Sequence, residues 1–117
     1  MAAINIDAAL ERFDNETDIY LEIGQAFLES GVVDSKGIEE AFAAGDAQKA
    51  LYHAHKIKGA ALTVGADTLA SFAGKLEAGL RSDPAADYSV LASSISRETA
   101  IVLAEMTEII RRLKTRS

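Results

Sequence analysis

The chain has 117 residues, 49% hydrophobic and 26% charged, with a formal net charge of −6, one proline and no cysteine. This composition suits one soluble helical domain over residues 1–117, and it excludes disulfides, thiolate metal sites and cysteine nucleophiles. The acidic balance disfavours nucleic acid, no run of about 18 uncharged apolar residues offers a membrane span, and no basic-then-apolar leader opens the chain, so a cytoplasmic monomer is expected.

Residues 7–13 read as a short first helix with Asp7 as its N-cap. Asp14-Asn15-Glu16 interrupts it. Ile19, Ile23, Ala26, Phe27 and Ser30 then recur at helical spacing. Gly31 and Gly37 weaken the next stretch, so residues 34–44 read either as a separate helix or as a bent continuation. Gly45-Asp46 is the next break, and Asp46 can cap the helix after it. There Ala50, Ala54, Ile57, Ala61 and Val64 are spaced by four, three, four and three, a seam that faces a bundle core.

Gly65 ends that helix and Asp67 starts the next, whose core stripe is Leu69, Phe72, Leu76 and Leu80, with Gly74 allowing close packing. Ser82-Asp83-Pro84 stops it. The last helix is expected over residues 87–114, burying Leu91, Ile95, Val102, Met106, Ile109 and Leu113. Arg111, Arg112, Lys114 and Arg116 gather in its final turns, where cations complement the helix dipole. No segment alternates with a period of two, so no sheet is expected. The fold class is all-α: an antiparallel, up-down four-helix bundle with a short extra N-terminal helix.

Chemistry concentrates in Ala54-His55-Lys56-Ile57-Lys58-Gly59-Ala60-Ala61. At 100° per residue, His55 lies about 140° from Ala50 and faces away from the seam. Lys58 and Gly59 flank it one turn on, and Leu51 and Leu62 edge the same surface as an apolar rim. Neutral imidazole is a good nucleophile near neutral pH and can carry a phosphoryl group covalently. A nearby lysine offers positive charge to phosphate oxygens. Glycine in a helix interior costs about 1 kcal/mol relative to alanine, so clearing space around His55 is a reason for Gly59. An open face without a pocket suits transfer to another protein.

His53 lies about 200° from His55, so the two rings cannot share one metal ion. It sits about 60° from the seam and reads as a boundary histidine with a structural role. No Glu-x-x-His or His-x-x-x-His pair supports a dimetal bundle.

These residues resemble the histidine-containing phosphotransfer (HPt) family, whose motif is His-x-x-Lys-Gly, often preceded by alanine and followed by a glycine ten residues after the histidine. The chain has Ala54, His55, Lys58, Gly59 and Gly65 in those places. The run is similar to that of the HPt module at the end of anaerobic-response hybrid sensor kinases. Residues 7–13 resemble the family's opening segment. Tyr20, Leu21, Ile23, Phe27 and Leu28 match its first bundle helix, Ala43-Ala44-Gly45-Asp46 its next turn, and Leu69, Leu76 and Glu77 the helix after the histidine. The resemblance covers residues 4–113. Gly31 and Gly37 depart from it, in a stretch where many members keep a strong helix.

The resemblance implies that His55 is the phosphoacceptor, that Lys58 balances phosphoryl charge, and that Gly59 lets a receiver domain dock closely. Glu77 matches a position where members often place Glu or Gln near the imidazole, able to orient the ring. Lys56 would contact the acidic receiver site. The chain would relay a phosphoryl group between receiver-domain aspartates of response regulators or hybrid kinases, with no kinase activity and no cofactor of its own. Mg²⁺ would come from the receiver. The rival readings are a helical adaptor or dimerisation module that uses Gly59 only for packing, and the phosphoacceptor module of a larger histidine kinase.

Overall fold

The computed structural model describes residues 2–115. Its five helices are, in chain order, α1 (Ile6–Arg12), α2 (Thr17–Ala44), α3 (Ala47–Val64), α4 (Asp67–Ser82) and α5 (Ser89–Thr115). Helices α2 to α5 form an antiparallel bundle in which α3 packs between α2 and α4, and α5 closes the ring against α2 and α4. No strand occurs among the described residues. Arg116 lies outside them.

The two tight connections share one design. Gly45 and Gly65 adopt φ of 68° and 88°, the left-handed conformation that favours glycine. The N–H groups of Asp46 and Ala66 then reach back to the carbonyls of Ala41 and Ala61 at 2.8 Å each. This is the Schellman arrangement, which satisfies carbonyls left over at a helix end. Asp46 caps α3 by accepting from Lys49 N–H at 3.0 Å.

Helix α2 has 28 residues against 18 in α3. It therefore overhangs its neighbour by about ten residues, roughly 15 Å at the helical rise. The N-terminal segment fills that step. Asn5 N–H donates to Gly65 O at 2.9 Å, and the N–H groups of Ala3 and Ile4 donate to the two oxygens of Glu105, both at 2.9 Å. Tyr20 is fully buried beneath this end, and its hydroxyl donates to Val64 O at 2.8 Å. Burial, aided by Glu105, pushes that phenol up to about 12. Arg12 Nη1 donates to Leu62 O at 2.6 Å. The end of α3 is thus tied to α1, to α2 and to the N-terminal segment.

Several expectations need correcting. The N-cap of α1 is Asn5, whose Oδ1 accepts from Ala8 N–H at 3.2 Å, and Asp7 sits inside the first turn. Of the two readings of residues 34–44, the continuation is the one observed, since they belong to one α2. In α5 Leu91 and Ile109 are only half-buried, Ile110 being buried in place of Ile109, and Phe72 in α4 is also half-buried. A Cβ on Gly74 would meet only the stem of Lys58, at an ordinary 3.5 Å, so this glycine is not a site of close helix packing.

The continuity of α2 has a steric cause. Its buried face runs through Tyr20, Gly24, Phe27, Gly31, Asp34, Gly37, Ile38 and Ala41, while Ile19 and Val33 point outward. Neighbouring side chains occupy the space the glycines leave: Met106 at Gly24, Phe27 and Leu103 at Gly31, and the His53 ring at Gly37. Packing outweighs the helix propensity lost at these positions.

The α3 seam (Ala50, Ala54, Ile57, Ala61 and Val64) is fully buried, and its alanines admit neighbouring helices closely. His53 lies at the α2 boundary, donating from Nδ1 to Asp34 Oδ1 at 2.9 Å, with the Tyr52 ring nearly perpendicular to its own.

Two glycines should respond oppositely to alanine. A Cβ on Gly37 would overlap the His53 ring, so Gly37→Ala should destabilise by roughly 1–3 kcal/mol. A Cβ on Gly59 would meet nothing within 4 Å, so Gly59→Ala should raise stability by up to about 1 kcal/mol. Urea denaturation midpoints check both.

Candidate functional site

Helix α3 carries no acidic residue over Ala47–Val64, in a chain of net charge −6. Its outer face instead presents Lys49, Tyr52, His55, Lys56, Gly59 and Leu62. The His55 side chain is 63% exposed. With open space over Gly59 one turn on, the ring stands clear on that side.

Behind the ring lies a buried charge. Glu77 projects from the core-facing stripe of α4, and its side chain is only 7% exposed. A buried carboxylate needs cationic or hydrogen-bond partners, and Glu77 has three. His55 Nδ1 lies 2.6 Å from Oε2, Arg81 Nη2 donates to the same oxygen at 3.1 Å, and Lys58 Nζ lies 2.5 Å from Oε1. The hydrogen bond from Lys58 is the largest cause that brings this carboxyl down to about 2. Arg81 and His55 pull the same way, and burial opposes them.

An ionised carboxylate only accepts hydrogen bonds, which assigns the imidazole proton to Nδ1. The lone pair of the neutral ring is then on Nε2, the nitrogen that Glu77 does not hold. This arrangement orients a nucleophile from behind and can stabilise positive charge that develops on the ring during attack.

The structure brings together His55, Lys58, Gly59 and Glu77. Lys56 is exposed on the same helix, with Nζ 5.6 Å from the centre of the Tyr52 ring. The two rim leucines part company. Leu62 is 43% exposed, whereas Leu51 is half-buried and packs on the core.

Two residues of the site escape a reading of the sequence alone. Tyr52 is 57% exposed beside His55 and Lys56, and its place three residues before His55 is the available signal. Arg81 sits four residues after Glu77, the i,i+4 spacing of a helical ion pair. Among the described residues, no group of three or more His, Cys, Asp or Glu side chains could hold a metal ion, and no helix is long and apolar enough to cross a membrane.

Fold and site together make an all-helical bundle that presents an imidazole, held at Nδ1 by a buried carboxylate, on an open cationic face. The Hpt domain model matches residues 22–115, and the chain belongs to this family of histidine phosphotransfer domains, which act in phosphorelays. The match starts inside α2, leaving α1 outside it.

The fold is similar to that of the HPT domain of a sensor hybrid histidine kinase from Shewanella, with a TM-score of 0.87 and 22% identity over 94% of this chain and 95% of that one. It is also similar to histidine-containing phosphotransfer protein B from Pseudomonas aeruginosa, with a TM-score of 0.83 and 25% identity over 93% of this chain and 95% of that one. No curated protein matches the chain in sequence.

The Glu77 network has a pH signature. Its carboxyl titrates at about 2 when folded, against an ordinary 4.5. The unfolded chain therefore takes up the proton first as pH falls. The stability that Glu77 contributes is complete above about pH 4.5 and should be lost as pH falls through about 2. Urea midpoints for the parent and Glu77→Gln should accordingly converge between pH 5 and pH 2.5.

Proposed function

We propose that His55 is the phosphoacceptor of a cytoplasmic relay in which this chain, working as one domain, takes a phosphoryl group from one receiver-domain aspartate and passes it to another. The observation that carries this reading is the exposed imidazole with Nδ1 bonded to buried Glu77 and Nε2 left for reaction.

In the forward step the Nε2 lone pair attacks phosphorus of an aspartyl phosphate. The Nε2–P bond forms, the P–O bond to the aspartate breaks, and the aspartate leaves with that electron pair as a carboxylate. The Nδ1 proton stays in place, and the positive ring is balanced by Glu77. In the second step a carboxylate oxygen of the next receiver attacks phosphorus and the imidazole leaves. Lys58, three residues from His55, would balance charge on the phosphoryl oxygens. The Mg²⁺ used in this chemistry would be held by the receiver's acidic pocket, and the chain would use no ATP and no cofactor of its own.

Gly59 would allow the receiver to approach. The absence of any neighbour around a Cβ at this position argues against the adaptor reading, in which the glycine serves internal packing. Lys56 and Leu62 would flank the docked partner, with Tyr52 beside them, while Leu51 would act from beneath through the core.

Incubation with a phosphorylated receiver should place acid-labile, base-stable label on the parent and on His53→Gln, and none on His55→Gln. Label on His55→Gln at the parental level would end the assignment.

The partner's phosphorylation site is acidic and the α3 face is basic, so association should be steered by charge. Raising the salt from 50 to 500 mM should slow association roughly tenfold or more. Lys56→Glu should slow it at low salt without lowering the melting temperature, as stopped-flow mixing and thermal denaturation would check.

A further inference from the structure

Glu77 has two oxygens and three partners, and they are not shared evenly. Oε2 takes both His55 Nδ1 and Arg81 Nη2, while Oε1 takes Lys58. Lys58 can therefore leave without disturbing either bond at the oxygen that orients the ring. Its ammonium is one charge on a flexible four-carbon stem, suited to changing partners. Arg81 is tethered differently. It projects from α4, the helix of Glu77 itself and one turn further on, so its distance to the carboxylate does not depend on how α3 and α4 sit.

A buried carboxylate that lost Lys58 to an incoming phosphoryl group, with no other cation, would be left with His55 alone. That would favour uptake of a proton by Glu77 and release of the ring. The second cation removes this conflict.

We propose that Arg81 is a positioning residue for the phosphoacceptor. It holds Glu77 Oε2 against His55 Nδ1–H, which keeps the reactive lone pair on Nε2, and it goes on doing so while Lys58 turns from Oε1 to the phosphoryl oxygens. The second half rests on the proposed relay function. The first half concerns the free protein and stands without it.

The test uses the full chain with ¹⁵N-labelled histidine. Long-range ¹H–¹⁵N correlation spectra at pH 7.5 report which ring nitrogen of His55 carries the proton. His53, held by Asp34 on the other side of α3, serves as the internal reference. The variants are Arg81→Ala, Arg81→Lys and, as a charge control on the same helix, Lys75→Ala. Arg81 is 61% exposed, so its removal leaves the core intact.

Arg81→Ala should lower the Nδ1–H fraction of His55, leave the His53 signals in place, and slow phosphotransfer from a phosphorylated receiver roughly two- to fivefold. Arg81→Lys should recover part of both effects, and Lys75→Ala should change neither. A parental tautomer ratio in Arg81→Ala overturns the proposal, including the case in which transfer nevertheless slows. Because the tautomer is read without any partner, failure of the parent to accept phosphate would sink the relay reading and leave this measurement able to decide the role of Arg81.

Discussion

A carboxylate removed from water between two helices is the constraint on which the site depends. Glu77 is on the buried stripe of α4, where a lone negative charge would be strongly unfavourable. Donors from α3 make the position tolerable, and in doing so they fix two side chains of α3 relative to α4. His55 is held by its inner nitrogen and Lys58 by its tip. Orientation of the His55 ring, the place of its proton and the ionised state of Glu77 are thus one electrostatic arrangement, anchored to the core through the α4 backbone.

The scaffold around this arrangement is assembled from small residues at the contacts. Alanines line the α3 seam, and glycines on α2 receive Met106, Leu103 and the ring of His53. Gly59 looks similar in the sequence but stands outside that logic. No atom occupies the space its missing side chain leaves. Glycine at Gly37 is explained from within the fold, whereas nothing within the fold requires glycine at Gly59. The two histidines divide in the same way. His53 joins α3 to α2 through Asp34, while the side chain of His55 is largely exposed to solvent.

The similar bundles from Shewanella and Pseudomonas aeruginosa share 22% and 25% of residues with this chain, yet the folds superpose with TM-scores of 0.87 and 0.83. Such tolerance is expected of a helical bundle, in which apolar volume and periodicity at the seams matter more than the identity of each side chain.

Several features are legible in the chain because they depend on neighbours along one helix. Four bundle helices, the glycine turns, the α3 seam and the outward placement of His55 beside Lys58 and Gly59 all derive from local spacing and backbone preference. The continuity of α2 is not legible. Its glycines are poor helix formers in isolation, and only side chains from α3 and α5 show why they are needed. Helical spacing places Ile19 in α2 without deciding its face, and the buried face, which runs through Tyr20, Gly24 and Phe27, leaves the isoleucine outside. The inner half of the site is also beyond local reading. Glu77 lies 22 residues from His55, and Arg81 joins them through a shared oxygen. Periodicity decides which way a side chain leaves its helix. Only the packing of α3 on α4 decides which charge it meets, because that meeting depends on distance in space and on the exclusion of water.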